Sequence, residues 1–416
     1  MKKIEQIAVL LSFGLTTQVS VIATVLSHNG SDYAIVVNDS RRVVNLVVSP
    51  DACKLFSSAT HDGFQITPQL SKHIYDQFED NFDFIIFQSD QVWPPTGAAY
   101  GGQIQAIQND TKGIGLSIYN FCDSYGSSGK LQCIIHLAEL NGLIGGAGLH
   151  EIMHRWGNFL NSIPGLGSHW GFSSVNGQLG GWQIDTLQYL GNGQYSANNG
   201  QPGNWFDPSG NAGNKVPYMK LELYLMGLVP IQEVPDIEVA IDASFIGTSR
   251  SFFTASGFKT ITSADIVAID GTRIPDYTAS QKDFKTLFVV VTSAPLSEAR
   301  FDYYDSAVRN FSKQSPTRSE TGFYNFWEAT GGRATMEITI SPEDVKGGMK
   351  PSVTAQPSAG LLNLSWADIG YRLQSSESFV TPSSWSDVLG PFRTNNGIVS
   401  VSIPMDGDRQ FFRLAK

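Results

Sequence analysis

The chain has 416 residues, of which 41 % are hydrophobic and 16 % charged, a balance that fits a globular protein and excludes a disordered one. Its length allows about two or three domains with a large core. Against 38 Asp and Glu stand 28 Lys and Arg, and the resulting net charge of −10 argues against nucleic acid or an anionic membrane surface, since both require a basic face.

Lys2 and Lys3 precede an apolar run from Ile7 to Leu15, and Val21-Ile22-Ala23 offers small residues at the −3 and −1 positions of a cleavage site. The pattern predicts a signal peptide over residues 1–23 and a secreted or cell-surface protein. Glu5 runs against it; the other reading of residues 4–26 is a buried first strand or helix. No run reaches the roughly 18 apolar residues of a membrane-spanning helix, so no membrane insertion is expected.

Residues 33–37 and 43–48 have strand composition, and Leu70, Ile74 and Phe78 give a helical spacing over 68–80. Phe82 to Phe87 predicts a central strand, and a loop rich in Pro and Gly follows over 94–102. Residues 114–119 and 131–136 flank a turn-rich segment, which predicts a hairpin with Cys122 and Cys133 placed to pair across it or to stay as buried thiols; Cys53 would be left over.

The stretch Gly145 to Gly157 carries His150-Glu151-Ile152-Met153-His154, an H-E-x-x-H motif. Leu149, Ile152, Met153, Trp156 and Leu160 recur at helical spacing, which predicts a long helix packed on a mixed sheet. Positions i and i+4 share a helix face, so two imidazoles can reach one zinc ion, while Glu151 at the edge of that face is placed to act on water as general base.

Residues 163–215 are rich in Gly and Asn, as expected of a substrate-binding rim. Asn192, Asn198, Asn199, Asn204 and Asp207 are candidates for a Ca2+ site, without EF-type spacing. A helix over 216–228 stops at Gly227 and Pro230, and residues 231–340 add a strand at 287–291 and helices near 297–311 and 320–330. The segment 341–353 has linker composition. Beyond it, alternation at Leu362, Leu364 and Trp366, at Val399, Val401 and Ile403, and at Phe412 and Leu414 predicts a small β-sandwich over 354–416 that contains no His or Cys.

His150-Glu151-x-x-His154-x-x-Gly157 resembles the first eight positions of the metzincin pattern of zinc endopeptidases. That resemblance implies an α+β, zincin-like domain over 24–340, with a mixed sheet plus active-site helix, acting on a protein or peptide substrate. In metzincins the third ligand is a His three residues after the Gly, where this chain has Leu160. His169 in the following loop is the first replacement; Glu222, supplied from a later helix as in gluzincins, and Asp185 are the others. Met226 in Leu225-Met226-Gly227 resembles the metzincin methionine turn. The wider set, from Phe82-Asp83-Phe84 to Ser263-Ala264-Asp265, is similar to poorly characterised exported bacterial proteins treated as zinc peptidases, and the tail resembles C-terminal modules associated with surface attachment. A binding or adhesion protein on a degenerate peptidase scaffold is the second reading, motivated by Leu160.

Overall fold

The computed structural model describes residues 23–26, 32–38, 40–57, 63–90, 101–138, 140–200, 213–247, 251–347, 353–358, 360–367, 371–376, 385–395, 398–404 and 411–415. The expected signal peptide, apart from Ala23, and most of the 94–102 loop lie outside them. Ala23 itself opens a strand.

The chain runs through β1 (Ala23–Leu26), β2 (Ala34–Asn38), β3 (Val44–Val47), α1 (Pro50–Phe56), α2 (Gly63–Gln77), β4 (Phe84–Ser89) and β5 (Gly102–Ala106). Next come the short pair β6 (Gln108–Asn109) and β7 (Tyr119–Asn120), then β8 (Cys133–Leu137) and the motif helix α3 (Gly148–Met153). There follow β9 (Gln188–Gly191), β10 (Gln194–Ser196), α4 (Lys220–Met226), β11 (Ile237–Ile241), β12 (Ser244–Phe245), β13 (Phe252–Thr254), β14 (Gly257–Ile261) and α5 (Ser263–Asp270). The sequence closes on β15 (Asp283–Thr292), α6 (Glu298–Ser312), α7 (Arg318–Thr321), α8 (Phe326–Ala329) and β16 (Thr335–Glu337).

Eight of these strands form one mixed sheet in the order β1-β2-β3-β15-β4-β8-β5, with β16 beside β15. The centre, β3-β15-β4-β8, is parallel, and β5 closes one edge antiparallel to β8. Every residue of β4 is buried, as expected for a central parallel strand covered on both faces. Its alternation sorts the core: Phe84 and Ile86 face a cluster with Leu149, Ile152, Met153, Leu221, Leu225 and Val308, whereas Ile85 and Phe87 face Phe56, Leu70 and Ile74. Helices α3, α4 and α6 thus cover one face and α1 and α2 the other. Each large apolar side chain so buried contributes about 1.5–3 kcal/mol. A separate four-stranded sheet, β12-β13-β10-β9, is built around Trp182 and Phe253. Among the described residues no helix is long and apolar enough to cross a membrane.

Four expectations are corrected. Residues 114–119 and 131–136 do not form a hairpin, because both sides of β8 are taken by β4 and β5. Cys122 opens a 3-10 turn instead, its thiol donating to the Leu131 carbonyl at 3.3 Å, and Cys53, Cys122 and Cys133 are all free. The motif helix is six residues long and ends at Met153, where the chain tightens into turns: the Arg155 amide donates to the Ile152 carbonyl and the Trp156 amide to that of Met153. Residues 341–347, the described start of the expected linker, are docked on the preceding domain: the Glu79 amide donates to the Asp344 carbonyl, the Lys346 amide to that of Gln77, and Lys285 pairs with the buried Asp344 carboxylate. Helix α2 starts five residues before the expected Pro68 and carries that proline inside it.

After the docked segment, β17 (Thr354–Ser358), β18 (Leu361–Ala367), β19 (Arg372–Ser376), β20 (Ser386–Asp387), β21 (Arg393–Asn395), β22 (Ile398–Pro404) and β23 (Phe411–Ala415) form two antiparallel sheets, β17-β18-β22-β21 and β20-β19-β23. Ala355, Leu362, Leu364, Trp366, Leu373, Val401 and Phe412 fill the space between them.

Candidate metal centre

The H-E-x-x-H helix has no capping side chain of its own at Ala147. Asn214, brought from 65 residues away, supplies one: its Oδ1 accepts from the Leu149 amide at 2.9 Å, while its Nδ2 donates to the carbonyls of Leu143 and Ile144. The Tyr218 hydroxyl donates to the Leu149 carbonyl at 2.8 Å. With the apolar face of α3 in the core, His150 and His154 emerge together on the opposite side.

His169 reaches them from the loop. Gly167 and Ser168 both take left-handed φ values, which folds the chain back so that the Leu166 amide donates to the His169 carbonyl. The next residue, Trp170, is fully buried and pins the loop to the core. As a result the ligand atoms of His150, His154 and His169 all lie within 4.8 Å of one another. The Nε2 of His150 is 3.2 Å from the Nε2 of His154 and 3.2 Å from that of His169.

Those separations match the donor set to a small cation. Two ligands about 2.0–2.1 Å from a tetrahedral centre are about 3.3 Å apart. The ring orientations agree. His150 Nδ1–H donates to the Gln178 carbonyl at 2.8 Å and His169 Nδ1–H to that of Gly167 at 2.6 Å, which leaves the Nε2 lone pairs facing one point. Lone pairs crowded in this way repel one another until a cation lies between them. Burial lowers the pKa of His150 to about 4, with His169 adding to the effect. For His154 burial and then the other two imidazoles lower it to about 2, and burial lowers that of His169 as well. All three are therefore neutral near pH 7, the form that ligates.

Glu151 is 5 % exposed, and burial pushes its pKa up to about 8. Its carboxyl lies against Gly102 at the start of the edge strand β5, where a Cβ would come within 2.7 Å of Glu151 Cγ and 3.0 Å of Oε1. A side chain at 102 would occupy the space that the carboxyl uses. Nothing in the local sequence marked Gly102 or Asn214, because both meet the motif helix only through the fold.

The remaining candidates are placed elsewhere. Glu222 is fully buried in α4 and is not part of the three-histidine group. Its two oxygens accept from Trp170 Nε1 and from the amides of Gln178, Leu179 and Met219 at 2.9–3.1 Å. Burial pushes its pKa up, and these hydrogen bonds pull against that. Asp185 is exposed on a 3-10 turn, and Leu160 is buried in the core. Met226 ends α4 within the core cluster that also holds Met153. Of the calcium candidates, Asn204 and Asp207 lie outside the described residues, Asn192 turns the β9–β10 hairpin with a φ of 53°, and Asn198 accepts from the Gly200 amide. Among the described residues, the three histidines are the one cluster that could hold a metal. Compared with protein-family models, curated proteins and solved structures, the chain matches none.

Proposed function

We propose that the chain is a zinc-dependent metallopeptidase with a zincin-like catalytic domain, in which His150, His154 and His169 hold Zn2+ and Glu151 is the catalytic base. The observation that carries this reading is the convergence of three neutral imidazole nitrogens beside a buried carboxylate. Bound zinc supplies a Lewis acid that lowers the pKa of water to about 7 and polarises a carbonyl.

The chain's own residues do the rest. The carbonyls of Gln178 and Gly167 fix the ring orientations of His150 and His169. Glu151 takes a proton from the attacking water and returns it to the leaving amine, work suited to a carboxyl whose pKa lies near neutrality. A cation beside it draws that pKa down, so that the base form is populated. A peptide substrate is supported by β5, which among the described residues pairs only with β8, leaving its other edge for an extended chain to join, and whose first residue, Gly102, lies against Glu151. Export is supported by Lys2, Lys3 and the apolar run that follows them, and surface attachment by the separate C-terminal sandwich. The non-catalytic alternative drew its support from Leu160; the approach of His169 removes that motive.

The test is hydrolysis of an unfolded protein by the zinc-loaded chain beside Glu151→Gln. The expected result is cleavage by the wild type and a loss of about 10²–10⁴-fold in the variant. Equal rates in both, or no hydrolysis of any peptide pool by a zinc-loaded wild type, would contradict the proposal.

A further inference from the structure

We propose that Glu222 is the positioning residue of the metal centre: from α4 it holds the two loop segments that aim His150 and His169. The inference rests on the zinc reading above. Glu222 Oε1 accepts from Trp170 Nε1 at 2.9 Å and from the Leu179 amide at 3.0 Å, and Oε2 accepts from the amides of Gln178 at 3.0 Å and Met219 at 3.1 Å. Trp170 is the neighbour of His169, and Gln178 is the residue whose carbonyl receives the His150 Nδ1–H. One carboxylate is thus a single residue away from the loop ligand and a single residue away from the orientation of the helix ligand. Gly177 is part of the same device, since a Cβ there would overlap the Glu222 carboxylate. The Gln178 side chain adds a second tie, donating to the carbonyls of Gly213 and Val216 on the approach to α4.

The chemistry requires an acid at this position. All four neighbours of the side chain are donors, and an ionised carboxylate accepts only. A glutamine fits its shape but replaces one oxygen with an NH2 donor. Whichever way the amide points, two N–H groups then face another donor: either those of Trp170 and Leu179 or those of Gln178 and Met219. The segment 177–179 and the Trp170 anchor cannot both keep their places. Because the clamp lies behind the ligands, its loss is read in the metal before it is read in the chemistry.

The experiment is a chelator-competition titration of the full chain with Zn2+ and the visible spectrum of its Co2+ form, for wild type, Glu222→Gln, Trp170→Phe and Asp344→Asn. The last removes the partner of Lys285 at the docked 341–347 segment, on the other face of the sheet from α4, and serves as the destabilised control. Glu222→Gln is expected to bind zinc about 10–100-fold more weakly with an altered cobalt spectrum. Trp170→Phe, which drops one donor and keeps an aromatic anchor, is expected to lose about 2- to 10-fold. Asp344→Asn should melt earlier and bind zinc as the wild type does. Wild-type affinity in Glu222→Gln overturns the inference; so does wild-type affinity in Trp170→Phe if Glu222→Gln does not fold, or an equal loss of affinity in Asp344→Asn. A wild type that binds no zinc overturns the zinc reading itself, and that arm is read separately from the variants.

Discussion

Gly102 and Glu151 occupy one space: the bare Cα of the edge strand leaves the volume into which the carboxyl of the motif glutamate folds, and a methyl group there would stand 2.7 Å from Glu151 Cγ. Substitution Gly102→Ala must therefore displace the proposed base while leaving the three imidazoles in place. The expected outcome is one zinc per chain, as in the wild type, with hydrolysis reduced by about 100-fold or more, since a shift of about 1 Å in a reacting group costs that much. Metal analysis beside the peptidase assay checks it, and an active Gly102→Ala variant would show that the carboxyl works from another position.

His169 is the proposed ligand that no short motif announces. Removing it in His169→Ala is expected to weaken zinc binding by more than about 100-fold, beyond the effect of altering a ligand's hydrogen-bond partner. His73, stacked on Tyr33 across the sheet, gives the comparison: His73→Ala should leave affinity unchanged. Competition with a chromophoric chelator separates the two outcomes.

Metal should stabilise the fold it joins. At free zinc about 100-fold above Kd, binding to the native state alone contributes about 2.7 kcal/mol. Thermal melts are expected to show a transition that rises by several degrees with zinc, falls again with EDTA, and moves little in a His150→Ala, His154→Ala double variant. A melt indifferent to EDTA in a chain shown to carry zinc would contradict the coupling of loop and helix through the ion.

The cysteines provide a chemical check on the strand order. Cys122 and Cys133 lie on elements that do not face each other as a hairpin, and all three thiols are free. Titration with a thiol reagent in denaturant without reductant is expected to count three thiols per chain, whereas a single thiol would signal the pairing of the other two.

How much of this was legible in the sequence differs from residue to residue. The central strand of Phe84 to Phe87 and the long run of β15 were visible because parallel strands buried on both faces are apolar without interruption. The C-terminal sandwich showed in its alternation, which the two faces of each strand impose. His150 and His154 were visible because their spacing is a property of one helical turn. What stayed hidden depends on contacts between distant segments. The 114–119 and 131–136 runs had hairpin chemistry at the turn, but the pairing sites of β8 were already filled by β4 and β5. The turn itself is held from outside by Asp80, whose carboxylate accepts from Ser127, Ser128 and Lys130. Asn214, Gly102 and Glu222 act on the centre across 43 residues or more, through caps and close approaches that local periodicity does not record.

The most direct measurement is the X-ray absorption spectrum of the zinc-loaded chain, which reports the atoms around the metal. Three imidazole nitrogens at about 2.0–2.1 Å with one further light atom are predicted, falling to two nitrogens in His169→Ala. A shell of carboxylate and water oxygens, or a histidine count unchanged in His169→Ala, would contradict the account.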